Sequence, residues 1–145
     1  MGNYVSAAVV EQRLRKNFAT LYTPRGLTAS DATIVAADIA AAEADLHSYL
    51  AGRYAVPVTD VTARLVLKGW ALTLVEELAY AAVPGLTLPE SVTDRVKELR
   101  ARLEKIAAGK LSLGTATDLD ATGAGAEMMA ESATPVFTRT TLRGF

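Results

Sequence analysis

The sequence predicts an all-α fold, a small bundle of about four helices with a flexible linker and an extended, strand-prone C-terminal arm. Three observations predict this class. Of the 145 residues, 50% are hydrophobic but only 6% aromatic, apolar residues recur at steps of three and four, and Pro and Gly separate the periodic stretches. We therefore expect a helical domain over residues 1–113, a linker over 114–134 and an arm over 135–145.

The first predicted helix runs from Ser6 to Phe18. Val10, Leu14 and Phe18 follow one another at helical spacing, which gives this helix one apolar face. The opposite face is basic and has two interpretations, a phosphate-contacting patch or an ordinary solvated face. The solvated face is preferred, because Glu11 lies beside the basic side chains. A turn over residues 23–26, with a proline and a glycine, ends this unit.

A long second helix is predicted from Ala29 to about Gly52. Asp31 gives its start the character of a capping box, and Gly52 is predicted to end it as a left-handed C-cap, since glycine adopts positive φ at little cost. Pro57 prevents the helix from continuing. The apolar face of this helix consists of Ile34, Val35, Ile39, Ala42, Leu46, Tyr49 and Leu50.

Two polar residues of the second helix, Glu43 and His47, lie four positions apart. We predict a surface pair that stabilises the helix by a few tenths of a kcal/mol. A general base assisted by a carboxylate would need the same two residues, but nothing else in the sequence supports that chemistry.

Asp60 is predicted to cap a third helix that runs to about Ala82. Apolar residues occupy nearly its whole circumference, as expected of a helix that is central in its domain or covered by a neighbouring subunit. Trp70 is interpreted as a core anchor in preference to a ligand platform. The apolar positions are Val61, Leu65, Leu67, Trp70, Leu72, Leu74, Val75, Leu78 and Ala79.

A fourth helix is predicted to begin at Pro89 and Glu90 and to close at Gly109. It carries a narrow apolar stripe toward the bundle, and a pair between Glu98 and Arg102 supports its charged face. The stripe consists of Val92, Val96, Leu99, Leu103 and Ile106.

The two C-terminal segments differ in composition. Residues 114–134 are mostly Gly, Ala, Thr and acidic residues, which is typical of a flexible linker. Residues 135–145 are basic and alternate with period two, like a strand. A lone strand has no sheet to join in a helical protein, so we expect this arm to dock outside its own domain. Its predicted partner-binding residues are Val136, Phe137, Arg139, Leu142, Arg143 and Phe145.

The composition argues against several classes of function. A formal net charge of -1 gives no general attraction to nucleic acid. The chain has no cysteine and His47 is its single histidine, and it contains no motif for catalysis, a cofactor or a metal. The most apolar run, residues 61–83, contains both arginine and glutamate, which disfavours a membrane span. We expect a soluble, non-enzymatic protein made in the cytoplasm, without a cofactor.

Three separated stretches resemble the head-tail connector, or neck, proteins of Mu-like tailed bacteriophages. The first is residues 45–57, where an acidic residue is followed by Tyr-Leu, Gly-Arg-Tyr and Pro; the second is residues 103–113, and the third is residues 136–145, which end in Gly-Phe. They occur in order and together span most of the chain, from residue 45 to residue 145, and they are more specific together than singly.

The first stretch contains a helix corner, formed by Tyr49, Gly52, Arg53, Tyr54 and Pro57. We predict that its side chains lock the turn against the third helix and so set the angle at which that helix leaves. Direct contact with a partner is the less favoured interpretation.

The resemblance implies a virion protein of the neck, assembled in the host cytoplasm. Such a protein forms a dodecameric ring between the portal protein and a tail-side neck or tail-terminator protein, with a passing contact to packaged DNA. Two alternatives remain open. One is a small DNA-binding regulator with a helix-turn-helix over residues 23–52, disfavoured by the acidic net charge. The other is an assembly chaperone or tail-terminating protein of the same phage.

Overall fold

The computed structural model describes residues 2–24 and 29–114. The predicted arm, and the predicted linker apart from Gly114, lie outside these residues. The part of the chain that is described is all-α, which confirms the predicted class, and it has five helices. They are α1 (Ala7–Leu14), α2 (Lys16–Tyr22), α3 (Ala32–Leu50), α4 (Val61–Ala82) and α5 (Glu90–Ala107).

The core lies between the three long helices, and each of them packs against the other two. Two ion pairs join α5 to α4, since Arg95 lies 3.2 Å from Glu76 and Arg100 lies 3.0 Å from Glu77. The predicted α5 stripe is buried at all of its positions, and α3 buries most of its predicted face. α1 and α2 pack across α3 and α4.

The first predicted helix is wrong as a single element. The chain breaks at Arg15, which has φ 50° and ψ -121°, and two short helices meet there. The break redirects the chain so that Leu14 at the end of α1 and Tyr22 at the end of α2 are both buried. A continuous helix would have used Phe18 as its main contact, and Phe18 is only half-buried.

The long helix α3 begins three residues later than predicted. Asp31 is its N-cap, and its carboxylate accepts a hydrogen bond of 2.8 Å from the Thr33 N–H. An aspartate in this position satisfies a backbone donor that has no partner within the helix.

Caps at α4 and α5 lie where the sequence predicts them. The Asp60 carboxylate accepts from the Ala63 N–H at 2.8 Å and begins α4. Gly109 follows α5 with φ 72°, and the Lys110 N–H donates to the Lys105 carbonyl at 2.8 Å. That bond and the positive φ form a Schellman motif.

α4 is less enclosed than its apolar composition predicts. Its buried line includes Leu67 and Leu74, whereas Val61 and Leu65 are 73% and 67% exposed. Trp70 is only partly buried, against the edge of the core. The first half of α4 therefore has an apolar face that the described fold does not cover.

A polar pair, Tyr22 and Asp38, lies where α2 packs on α3. Burial raises the pKa of the Asp38 carboxyl, and the Tyr22 hydroxyl partly opposes this shift. Burial, together with the Asp38 charge, raises the pKa of Tyr22 as well. The contact falls short of hydrogen-bond geometry, so the charged carboxylate is poorly compensated.

Asp38→Asn is therefore expected to raise the melting temperature at neutral pH. A carboxyl whose pKa is raised by folding destabilises the fold above that pKa, and the penalty disappears as pH falls. The advantage of Asp38→Asn should shrink as pH falls toward the ordinary value of 3.8. Thermal unfolding followed by circular dichroism across this range measures it. Asp94→Asn, on the exposed side of α5, is the control, and an advantage independent of pH would contradict the argument.

Candidate functional site

The helix corner connects α3 to α4 over residues 51–60. The last turn of α3 is completed by hydrogen bonds to the Leu50 carbonyl, 2.9 Å from the Arg53 N–H and 2.8 Å from the Tyr54 N–H. Gly52 is not in the left-handed region, so its predicted role as a left-handed C-cap is wrong. The reason is that Ala51 keeps right-handed dihedral angles and the chain finishes the turn without a reversal of φ.

Tyr54 and Arg53 hold the end of α5. The Tyr54 ring is buried, and its hydroxyl accepts from the Leu113 N–H at 3.0 Å. The Arg53 guanidinium donates to the Leu111 carbonyl at 2.8 Å and to the Ile106 carbonyl at 3.4 Å. A cation at these carbonyls also complements the negative end of the helix dipole. The sequence predicts a corner locked against α4, whereas these two side chains fasten α5.

The other two predicted corner residues have smaller contacts. Tyr49 is half-buried against the core, and Pro57 follows a cis peptide bond with Val56. The next residue, Val58, is buried, and its N–H donates to the Tyr4 hydroxyl at 2.9 Å. The corner is thus tied to the N-terminal segment as well as to α5.

The N-terminal segment is held by one buried carboxylate. Glu43 is 4% exposed, and it accepts from the N–H groups of Asn3 and Tyr4 at 2.7 Å and of Val5 at 3.2 Å. The Asn3 side-chain amide donates to the same carboxylate at 3.1 Å. Gly2 packs so closely that a Cβ would lie 2.5 Å from a Glu43 oxygen.

The predicted surface pair of Glu43 and His47 is therefore wrong. Glu43 turns inward because three backbone donors need an acceptor, and His47 Nε2 lies 3.0 Å from the Tyr4 hydroxyl. One signal in the sequence points to this role. Glu43 stands four residues after Ile39 and three before Leu46, so the helical period places it on the buried face.

A cleft of about 320 Å³ lies beside Glu43 and His47, with Gly2 and Ala40 in its wall. The carboxylate oxygens at its floor are already occupied by backbone N–H groups. Among residues 2–24 and 29–114, no three acidic, histidine or cysteine side chains are grouped for a metal. The Glu43 carboxylate fastens the N-terminal segment to α3.

The other predicted site, the arm, lies outside the described residues. This applies to Val136, Phe137, Arg139, Leu142, Arg143 and Phe145. None of the helices in the described part of the chain is long and apolar enough to cross a membrane.

Fold and site define a small helical protein in which the N-terminal segment and the residues just after α5 are fastened at one corner. The family model of bacteriophage Mu Gp36 matches residues 4–132. The chain belongs to this family and is a protein of a Mu-like phage. The match includes all five helices and ends before residues 136–145, so the third of the resembling stretches lies outside it. No curated protein matches the chain significantly.

Arg53→Ala is expected to lower the free energy of unfolding by about 1–2 kcal/mol, because charge-assisted hydrogen bonds to α5 are lost at a half-exposed position. Chemical denaturation followed by circular dichroism measures the loss. Arg102→Ala, which removes an exposed pair with Glu98, is the control. A variant of normal stability that fails to assemble would indicate direct contact with a partner instead.

Proposed function

We propose that this protein is a head-tail connector, a non-enzymatic structural subunit without a cofactor. It forms a dodecameric ring in the neck of the virion, after assembly in the host cytoplasm. Its partners are other copies of itself, the portal protein and a tail-side neck or tail-terminator protein, with a passing contact to packaged DNA. Membership of the Mu Gp36 family over residues 4–132 is the observation that carries the proposal.

The distribution of exposed apolar side chains supports ring formation. Val61 and Leu65 lie at the corner end of the bundle, whereas Ile34 and Leu86, 38% and 39% exposed, lie at the opposite end. A closed ring is built from heterologous contacts, in which one patch of a subunit meets a different patch of the next. Exposed apolar side chains at both ends of the bundle are compatible with such contacts.

The corner supports the proposal in a second way. It fixes where α3 ends and α4 begins, and through Arg53 it also fixes the end of α5. The wedge angle of a ring subunit depends on the relative directions of such helices. A rigid corner would therefore keep this angle constant from one subunit to the next.

The first experiment deletes residues 135–145. We expect the helical domain to melt normally, while filled heads no longer acquire tails. Phe137→Ala and Thr138→Ala form a matched pair, since alternate residues of an extended arm face opposite sides. Phe137→Ala should reduce the yield of tailed particles more than Thr138→Ala. Normal attachment of tails after the deletion would contradict the role of the arm.

The second experiment measures the mass of the assembly with and without the portal ring. A connector should be largely monomeric alone and should add a fixed number of copies to the portal. Binding to a DNA duplex that weakens steeply with salt would instead support a regulator. The sequence of α3, residues 32–50, contains neither Lys nor Arg and so gives that alternative no recognition helix.

A further inference from the structure

The first half of α4 exposes an apolar surface, the α4 face, formed by Val61, Leu65 and Val66. These side chains are 73%, 67% and 42% exposed. At 100° per residue they lie around Gly69, on the side of the helix opposite the buried Leu67. Nothing in the described residues covers this face.

Gly69 gives the face an unusual shape. Glycine in a helix interior is disfavoured relative to every residue except proline. Apart from the neighbouring backbone of α4, no atom of the described residues lies within 4 Å of the place where a Cβ would stand, so packing inside the described fold does not require glycine here. The missing side chain instead allows another backbone to approach α4 closely.

The edge of the α4 face is basic. Arg64 and Lys68, one turn apart, lie beside Val61 and Leu65 along the helix. The Arg64 guanidinium donates to the Asn3 carbonyl at 2.9 Å. Within the described residues, neither cation forms an ion pair with a carboxylate. The fitting occupant is therefore apolar and acidic.

The C-terminal part of the chain contains two acidic stretches with apolar side chains, and the first of them, Asp118-Leu119-Asp120, offers only a single leucine. Residues 127–131 are Glu-Met-Met-Ala-Glu, in which two methionines stand between two glutamates. Methionine side chains adapt well to irregular apolar surfaces. The arm over residues 135–145 fits less well, because Arg139 and Arg143 would repel the basic edge.

The exit point of the chain places residues 127–131 within reach. Leu113 is bonded to Tyr54 at the corner, the end of the bundle where α4 begins. Thirteen residues, 114–126, separate Leu113 from Glu127. A coil of that length spans roughly 20 Å, and the stretch from Val61 to Gly69 is about 12 Å long. The family match also continues through this segment to residue 132.

We propose that residues 127–131 dock on the α4 face of the same chain. Met128 and Met129 cover Leu65 and its neighbours, and the two glutamates pair with the basic edge. The docking does not depend on ring formation. One consequence rests on the proposed function: the segment covers, in the free subunit, an apolar patch that a ring neighbour would need, and so restrains premature association.

The test uses the full chain with ¹³C-labelled methionine methyl groups, observed by NMR at low concentration. The chain has 3 methionines, so the Met128 and Met129 signals are readily assigned. We expect both signals to be displaced from their random-coil positions, with nuclear Overhauser contacts to the Leu65 methyl groups. Random-coil positions for both signals in the full chain would overturn the proposal.

Two matched pairs of variants locate the contact. Leu65→Asp should return the methionine signals to random-coil positions, whereas Leu86→Asp, on the 39% exposed residue at the other end, should not. Gly69→Ala should shift the signals in the same direction as Leu65→Asp, and Gly52→Ala, which also meets no atom within 4 Å, should leave them unchanged. Equal effects of both members of a pair would contradict docking on the α4 face.

Dilution distinguishes docking of residues 127–131 within one chain from contact of the α4 face with a second copy of the chain. Displacement that persists on dilution supports docking within one chain, and displacement that is lost on dilution assigns the face to a second copy and overturns the proposal. Loss of the displacement in high salt supports the role of Arg64 and Lys68. A failure of the connector proposal would appear in tail attachment and would leave these spectra unchanged.

Discussion

Glu43→Ala is expected to lower the free energy of unfolding by about 3 kcal/mol. The substitution leaves the N–H groups of Asn3, Tyr4 and Val5 without their acceptor. A buried donor without a partner costs roughly 1–3 kcal/mol. The total stays below the sum of three such terms, because the segment can detach and be hydrated. Urea denaturation followed by circular dichroism measures the change.

The control is Asp45→Ala, on the same helix but on its partly exposed side. Glu43→Gln should lose an intermediate amount, since the amide keeps one acceptor oxygen and turns a donor toward the other N–H groups. Amide exchange at Tyr4 and Val5 should become fast in Glu43→Ala. Slow exchange at these two amides in Glu43→Ala, with a loss of stability no larger than that of Asp45→Ala, would show that Glu43 does not hold the N-terminal segment.

Tyr54→Ala is expected to lower the free energy of unfolding by about 3–5 kcal/mol, the range for removal of a large buried aromatic side chain. Tyr54→Phe keeps the ring and removes only the acceptor for the Leu113 N–H, so it should cost about 1 kcal/mol. The two variants separate packing of the ring from the hydrogen bond. Thermal and chemical unfolding measure both losses.

Tyr49→Phe serves as the control for the hydroxyl group. Tyr49 is half-buried against the core, and its hydroxyl forms no hydrogen bond among the described residues. Removal of that hydroxyl should leave stability unchanged. If Tyr54→Phe were as destabilising as Tyr54→Ala, the hydrogen bond to Leu113 would dominate and packing of the ring would contribute little.

The helices α4 and α5 are the elements that the sequence predicts best, and the reason is local. Asp60 caps one helix, Pro89 precedes the other, and Gly109 supplies the positive φ that ends it. Each of these residues affects only backbone groups and dihedral angles within a few positions of itself. Because no distant contact is needed, a single sequence suffices to place them.

The errors have a tertiary origin. The apolar period continues through Arg15, so periodicity alone predicts one helix where the packing of Leu14 and Tyr22 requires two. Gly52 is the residue type expected at a left-handed cap. The chain nevertheless leaves α3 with right-handed dihedral angles at Ala51 and without a positive φ at Gly52. Glycine permits positive φ and does not compel it.

The candidate site shows the same difference between local signals, which the sequence contains, and long-range contacts, which it does not reveal. The sequence singles out Arg53 and Tyr54 as corner residues, but it does not show that their side chains hydrogen-bond to residues 106–113, more than fifty positions away. Glu43 lies on the buried face by period, yet its charge favours a surface interpretation until the three N–H donors are seen. Long-range partners of polar side chains cannot be derived from spacing along one helix.

The attachment of Leu113 to the corner has a mechanical consequence. A pulling force on the chain beyond residue 114 reaches the Leu113–Tyr54 hydrogen bond first and the Leu111–Arg53 hydrogen bond next. Bonds loaded one after another break at lower force than bonds loaded together. The end of α5 would therefore peel away in steps, and tension transmitted through the C-terminal segment would be relieved before the packed helices α3, α4 and α5 come apart.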